Sequence, residues 1–150
     1  MSRWRPNVTV AAVIERDGRF LLVEEEVDGR RVLNQPAGHL EAGESLLEAV
    51  VREVREETGC DFRPRALVGV YRWRDAQSDL TYLRFCFTGK AQERGEGHPR
   101  LEGIVALHWL SAAELRAARA RHRSPLVLAC VEDHLAGRHF PLAVLSQDYA

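Results

Sequence analysis

The sequence lacks three features that would by themselves assign a protein to a class: paired cysteines, a strong net charge and a long apolar run. Its 150 residues include only three cysteines, Cys60, Cys86 and Cys130, which are widely separated along the chain. Because the number is odd and the spacing is wide, we expect no disulfide framework, and the composition favours a cytoplasmic location. A chain of this length also buries enough surface to fold without disulfides or a structural metal.

The chain also lacks an excess of charge of either sign. The chain contains 21 Lys and Arg residues against 22 Asp and Glu residues, which gives a formal net charge of −1. No overall field therefore attracts nucleic acid or an anionic membrane, and we expect neither as a partner. The basic run over residues 116–123 lies in an Ala-rich segment and is typical of a solvated helix face. Nothing in the sequence implies a protein partner.

The apolar runs are short. The first extends from Val8 to Ile14 and stops at Glu15 without the small residues of a cleavage site, so it predicts a strand and not a signal peptide. The run from Leu126 to Val131 has six residues, whereas a helix needs about 20 to span a bilayer. We therefore expect no transmembrane segment. The six histidines show no zinc-ligand spacing, so a zinc site is not supported.

Strand and helix patterns alternate along the chain without repeats or linkers, which predicts one α/β domain over residues 1–150. Asp17 and Gly18 are typical of a hairpin turn, so the first two strands are expected to pair. Residues 92–100 contain two glycines and a proline and predict a loop. The predicted strands cover residues 8–14, 20–23, 67–73, 80–88 and 104–110.

Capping residues define the predicted helices. A central helix is predicted over residues 46–58, because Ser45 and Glu48 form a capping box and Gly59 supplies the C-terminal stop. Similar capping residues predict two further helices, which begin after Ser111 and after Ser124-Pro125, the second ending near Gly137.

Three carboxylates recur on the central predicted helix. Glu53 lies three and four residues before Glu56 and Glu57, so it shares a helix face with both. Like charges at this spacing cost a helix about 0.2–0.5 kcal/mol per pair, which a hard divalent cation with oxygen ligands would reverse. Magnesium is the natural candidate, with manganese as the alternative ion. Taken alone, the pattern is also typical of a solvated charged face.

The loop before the helix extends these acids into a longer pattern. The chain matches G-x5-E-x7-R-E-U-x-E-E-x-G-U, in which U is a bulky aliphatic residue, at Gly38, Glu44, Arg52, Glu53, Glu56, Glu57 and Gly59. This segment, residues 38–60, resembles the catalytic box of the Nudix hydrolases, with Cys60 in place of the final aliphatic residue. The resemblance implies an α/β/α sandwich with a mixed central sheet, in which the box forms a loop, a helix and a second loop.

The resemblance also implies roles for the residues of the box. Glu53, Glu56 and Glu57 are implied to hold the metal together with the backbone carbonyl of Ala37. One of these glutamates is implied to be the general base, and the sequence does not select which. Arg52 is implied to orient the glutamates through ionic hydrogen bonds, for which its planar fork is suited.

Other residues complete the predicted box or extend it. Gly38 and Gly43 fit a loop that bends tightly before the helix, and Glu44 and Gly59 complete the structural positions of the box. The resemblance implies a further acidic metal ligand beyond the box. Glu102 is the candidate for this role, in competition with Glu93 and Glu96.

Four residues outside the box are candidates for binding the substrate. Trp73 is suited to stacking on a nucleobase and Arg84 to binding a phosphate. The alternative interpretations are core packing and a solvated strand edge. Asn34 and Gln35 precede the metal loop and either hydrogen-bond a base or form a turn.

Segments beyond the box extend the resemblance to bacterial Nudix phosphatases. This similarity implies hydrolysis of nucleoside triphosphates, nucleoside diphosphates and hydroxymethylpyrimidine pyrophosphate, with release of inorganic phosphate. One alternative is a pyrophosphatase of ADP-ribose or dinucleoside polyphosphates, which would release a nucleotide. The other is a catalytically silent Nudix domain that senses a nucleotide, although this chain keeps every acid of the box. The similar segments are residues 8–11, 23–25, 34–42, 83–85 and 123–127.

Overall fold

A computed structural model describes residues 2–94 and 103–146. Within these residues, no helix is both long enough and apolar enough to cross a membrane. In chain order the elements are β1 (Asn7–Val13), β2 (Glu15–Arg16), β3 (Arg19–Val27), β4 (Arg30–Asn34), β5 (Ala37–His39), α1 (Leu46–Thr58), β6 (Cys60–Arg74), β7 (Thr81–Glu93), β8 (Ile104–Ser111), α2 (Ala112–Ala117), α3 (Leu126–Leu135) and β9 (Phe140–Pro141).

Two sheets form the centre of the fold. The first has the strand order β5-β1-β7-β6-β9 and is mixed, because β1 runs parallel to β7 whereas the other pairs are antiparallel. The second sheet is antiparallel and is built around β3, which pairs with β2, β4 and β8. The predicted mixed α/β class is therefore confirmed.

Helices α1 and α3 cover opposite faces of the first sheet. Strand β1 shows why, since Val10 and Ala12 belong to the same buried cluster as Val50 of α1. The alternate residue Ala11 belongs to a second cluster with Val127 of α3. Each fully buried aliphatic side chain of valine size contributes about 1.5–3 kcal/mol by leaving water. The two clusters produce the expected α/β/α layering.

The start of the chain differs from the predicted hairpin. Asp17 and Gly18 do form a tight turn with φ values of 51° and 75°, as expected for two residues of a type I′ turn. Only the two residues of β2, however, pair with β3 across this turn. Strand β1 lies in the other sheet between β5 and β7. The turn residues were predictable from local preferences, whereas the partner of β1 depends on the tertiary structure.

Strands β6 and β7 extend further than the alternating pattern predicts. Register shifts occur between Pro64 and Ala66 and between Leu67 and Gly69. These irregularities interrupt the period of two that marks a strand in sequence, and they accommodate a proline and a glycine inside a paired strand. At the other end of the pair, residues 92–93 continue β7, so the predicted loop begins later than expected.

The central helix forms over the predicted residues. The Ser45 hydroxyl accepts a hydrogen bond from the Glu48 N–H at 3.0 Å, and the Glu48 carboxylate accepts one from the Ser45 N–H at 2.9 Å. At the other end Gly59 takes the left-handed conformation with φ of 75°, which a glycine adopts without steric cost. These caps fix the residues at which α1 begins and ends.

We expect Ser45→Ala to lower the free energy of unfolding by about 1 kcal/mol, because the Glu48 N–H then loses its acceptor. Urea unfolding measures the change. The exposed Ser2 provides a control, since Ser2→Ala should leave the midpoint unchanged. Equal midpoints for the two variants would show that the cap contributes nothing.

Candidate active site

The candidate site lies where β5 meets helix α1. Strand β5 is held by β1, with Ala37 opposite Ala11 and Gly38 opposite Val10. The Ala37 N–H donates a hydrogen bond of 2.7 Å to Oε1 of Glu57. Because Glu57 lies near the end of α1, this bond ties the helix directly to the strand.

Gly38 is required by the close approach of the same two elements. A Cβ atom at this position would lie 2.1 Å from the carboxylate carbon of Glu53, far inside any van der Waals contact. Gly38 therefore belongs to the site because it leaves room for an acid of α1. Gly43, in the loop before the helix, has φ of +82°, which agrees with its predicted role in a tight bend.

Arg52 is the centre of a network that links the loop to the acids of α1. Its Nε donates to Glu44 at 2.7 Å and its Nη2 donates to the other carboxylate oxygen at 2.8 Å. Its Nη1 donates to Glu53 at 2.8 Å and to Glu56 at 3.1 Å. Nη2 also donates to the backbone carbonyl of His39 at 3.0 Å. The predicted box residues are thus brought together through one guanidinium group.

The acids of the site carry more negative charge than Arg52 balances. Glu57 is 4% exposed, and burial is the main cause that raises its pKa to about 9, with further contributions from the charges of Glu25, Glu53 and Glu56. Burial also raises the pKa of Glu53 against the influence of Arg52. A cation placed among these carboxylates would reverse both effects.

The donor set fits a hard divalent cation chemically. Carboxylate and carbonyl oxygens are the ligands that Mg²⁺ and Mn²⁺ prefer. Across residues 2–94 and 103–146, however, no three acidic, His or Cys side chains already converge as a preformed metal cage. Glu53 and Glu56 instead share the guanidinium of Arg52 as hydrogen-bond donor.

The proposed metal ligand beyond the box is not located. Glu102 and its competitor Glu96 lie outside the described residues. The third acid, Glu93, is at the end of β7 and pairs with Arg16 at 3.3 Å. The structure therefore does not place a further carboxylate of this group beside the box.

A cleft with a volume of about 590 Å³ opens beside the box. Ala37 and Gly38 form part of its wall, so the cleft and the acids share strand β5. Trp73 lines the same cleft and stacks on Tyr82, its partner across β6 and β7, with ring centroids 5.7 Å apart and planes 22° apart. The stacking on Tyr82 thus fixes the orientation of the half-buried indole in the wall of the cleft.

The other predicted substrate residues form a buried group. Arg84 donates to the Gln35 carbonyl oxygen at 2.9 Å and to the Asn34 carbonyl oxygen at 3.1 Å. Gln35 is 1% exposed, and its amide nitrogen donates to the backbone carbonyl of Val127 at 2.6 Å. Asn34 and Arg84 line the cleft. Gln35 lies behind them and positions Arg84.

Glu25 and Arg123 also line the cleft, and the sequence assigned neither a role. They form an ion pair of 2.6 Å. A run of three acids over residues 24–26 suggests a solvated face. Glu24 and Glu25 are nevertheless buried, because β3 is the central strand of its sheet. The apolar residues 20–23 directly precede these acids, and this run was an indication in the sequence that the strand is buried.

Comparison with known proteins agrees with this geometry. The NUDIX domain family model matches residues 3–129, and the chain therefore belongs to the Nudix family. It is 38% identical to Phosphatase NudJ of Escherichia coli K12 over 142 residues, which cover 95% of this chain and 92% of that protein. The likeness to the Nudix hydrolases makes it an enzyme that acts on phosphoanhydride bonds, in a family that generally uses divalent metal ions.

Solved structures show the same fold. A NUDIX hydrolase from Nitrosomonas europaea is 51% identical and superposes with a TM-score of 0.93, covering 97% of this chain and 98% of that one. A MutT NUDIX hydrolase from Burkholderia pseudomallei is 24% identical with a TM-score of 0.70, covering 87% of this chain and 98% of that one. The second likeness concerns the fold alone.

We expect the metal-free protein to lose stability as the pH rises from about 5 to about 8. Folded Glu57 has a pKa of about 9 against an ordinary value of 4.5, so within this window the folded state holds a proton that the unfolded state releases. The free energy of unfolding then falls by at most about 1.4 kcal/mol per pH unit. Glu57→Gln should flatten this dependence, as measured by urea unfolding in EDTA at several pH values.

The exposed Glu26 supplies the matched control, since Glu26→Gln removes the same charge without removing a buried carboxylate. Its pH dependence should follow that of the parent protein. Parallel curves for the parent and Glu57→Gln would mean that Glu57 is ionised throughout the window.

Proposed function

We propose that this protein is a magnesium-dependent phosphohydrolase of small pyrophosphate compounds. The proposed substrates are nucleoside triphosphates, nucleoside diphosphates and hydroxymethylpyrimidine pyrophosphate, with inorganic phosphate as a product and manganese as the alternative ion. The observation that carries the proposal is the buried Glu57, which lies among further carboxylates and is held by Ala37, a residue that lines the cleft. The likeness to a protein named as a phosphatase supports release of phosphate.

The reaction requires charge neutralisation and alignment. A pyrophosphate carries negative charges that repel an incoming water molecule. When bound, a divalent cation neutralises this charge and lowers the pKa of a coordinated water. Glu53, Glu56 and Glu57 are the proposed ligands, together with the carbonyl of Ala37, and one of these glutamates takes the proton of the attacking water.

Arg52 is proposed to keep the acids in position before the metal binds. Its two bonds to Glu44 fix the guanidinium, and the remaining donors hold Glu53 and Glu56 at defined places. Glu53 and Glu56 would hold the cation through their carboxylates, and Arg52 would keep both side chains close to the positions that this requires. The network therefore reduces the freedom that the ligands lose on binding.

The cleft beside β5 is the proposed substrate site. Trp73 offers a flat apolar surface to a nucleobase or pyrimidine ring, while Asn34 of β4 and Arg84 of β7 offer polar groups. Gln35 acts through Arg84. We retain Glu102 as a candidate additional metal ligand, and we propose that residues 1–150 function as one cytoplasmic domain.

The proposal is tested with a panel of substrates, each assayed with Mg²⁺ and with EDTA. The panel contains nucleoside diphosphates, nucleoside triphosphates, hydroxymethylpyrimidine pyrophosphate, ADP-ribose and a dinucleoside tetraphosphate. We expect inorganic phosphate from the first three classes with Mg²⁺ and no turnover in EDTA. Glu56→Gln or Glu57→Gln should lower kcat by at least about 10²-fold, since each removes a group that organises charge in the transition state.

The products identify the alternatives. Turnover confined to ADP-ribose or the dinucleoside compound, with release of a nucleotide, would replace the proposal by the internal pyrophosphatase. Nucleotide binding without turnover would indicate a sensing domain. Glu26→Gln is the charge-matched control and should retain the parental kcat.

Trp73→Ala should raise KM by about ten- to a hundred-fold for nucleotides and for hydroxymethylpyrimidine pyrophosphate alike, with little change in kcat. A stacked base contributes about 1–3 kcal/mol, and this contact is made equally in the ground and transition states. Steady-state kinetics measures both constants. Trp73→Phe should recover most of the affinity, because it keeps an aromatic face toward the cleft.

A control variant separates stacking from packing. Trp4 is 66% exposed and does not line the cleft, so Trp4→Ala should leave KM unchanged. An unchanged KM for Trp73→Ala, together with a lower thermal midpoint, would assign Trp73 to packing alone.

A further inference from the structure

Arg84 carries its positive charge in a nearly buried position. The residue is 6% exposed, and its two terminal nitrogens donate to the neutral amides of Gln35 and Asn34. The Cys130 sulfur lies 3.9 Å from one of these nitrogens, and no carboxylate within residues 2–94 and 103–146 is among the partners of Arg84. Its Nε is buried there without a hydrogen-bond acceptor. The guanidinium is thus well fixed but not neutralised.

Two other arginines beside the cleft and the box are paired with carboxylates, whereas Arg30 at the cleft is exposed to water. Arg123 pairs with Glu25 at 2.6 Å, and Arg52 pairs with Glu44 at 2.7 Å. Burial of a charge without a counter-ion is costly, and folded proteins normally avoid it by pairing. The charge of Arg84 therefore lacks a counter-ion among the described residues, and an anionic ligand of the cleft would supply one.

The position of Arg84 decides where that counter-ion binds. Arg84 and Asn34 line the cleft together with Ala37 and Gly38 of β5. Gln35 cannot turn toward the cleft without leaving the Val127 carbonyl, to which it donates at 2.6 Å. The amides therefore hold the guanidinium at the base of the cleft and leave its charge available to an anion.

We infer that Arg84, fixed by Asn34 and Gln35, forms an anion subsite that binds a phosphoryl group of the substrate without the metal ion. This inference rests on the proposed function and specifies how the cleft recognises its substrate. A guanidinium is suited to phosphate because its planar donors match two phosphate oxygens. The subsite selects compounds that present a phosphate at this end of the cleft, and it leaves the ring free to stack on Trp73.

Asn34→Asp tests the inference by supplying the missing counter-ion from within the chain. The substitution preserves the shape of the side chain and places a carboxylate beside Nη2 of Arg84. We expect Kd for inorganic pyrophosphate, measured by calorimetry in EDTA, to rise by at least about tenfold. The thermal midpoint of the free protein should rise at the same time, because the buried charge gains a partner.

Gln77→Glu is the matched control. It adds the same charge at the exposed rim of the cleft, so Kd should change by less than about threefold. Arg84→Lys is the second variant: it keeps a positive charge but loses the fork, and pyrophosphate binding should weaken while the fold persists. Circular dichroism verifies that both cleft variants are folded.

The Cys130 sulfur sets the pH of the experiment. It lies 3.9 Å from Nη1 of Arg84. Burial opposes ionisation of this thiol, whereas Cys86 and Arg84 lower its pKa. The titrations are therefore run on the acid side of neutrality, at one fixed pH for all variants, because lower pH favours the protonated thiol.

Two results would overturn the inference: no binding of pyrophosphate to the parent protein in EDTA, or equal Kd values for the parent and Asn34→Asp. The substrate panel tests the proposed function independently of these binding measurements. Binding that depends on residue 34 without any turnover would keep the subsite and reject the proposed function. Turnover together with an unchanged Kd for Asn34→Asp would support the proposed function and reject the anion subsite.

Discussion

The hydrogen bond from the Ala37 N–H to Glu57 is the contact on which the candidate site depends. It joins a strand of the first sheet to the last turn of α1 at 2.7 Å. Once this distance is fixed, the Glu53 carboxylate lies against Gly38, with no room for a Cβ atom between them. The acids are thus concentrated at one point because the backbone of β5 and the helix are held together there.

Two arginines near the site differ in the groups that surround their charge. Arg52 is surrounded by carboxylates and lowers the pKa of Glu44 through their hydrogen bonds. Arg84 is held by neutral amides and keeps its charge for a ligand. Negative charge is therefore concentrated at the box, whereas Arg84 carries a positive charge without a carboxylate partner among the described residues. A pyrophosphate bound together with a cation would complement both.

Local chemistry made α1 and the box predictable, because the caps at Ser45 and Gly59 and the spacing of the acids depend on neighbouring residues alone. The same holds for the Asp17-Gly18 turn. The burial of Glu25 was not predictable in this way, since it follows from the central place of β3 in its sheet. Gln35 is similar: its position behind Arg84 depends on Val127, which is distant in sequence.

The parallel pair of β1 and β7 has a consequence for how the chain folds. Val10 pairs with Phe85, 75 residues further along the chain, whereas β3 with β4 and β6 with β7 are hairpins between neighbouring strands. Closing the longer loop costs more chain entropy, so the topology favours early hairpins and late insertion of β1. Because β5 pairs with β1, the acids of α1 gain their strand partner only when that last strand is in place, and the site matures together with the completed sheet.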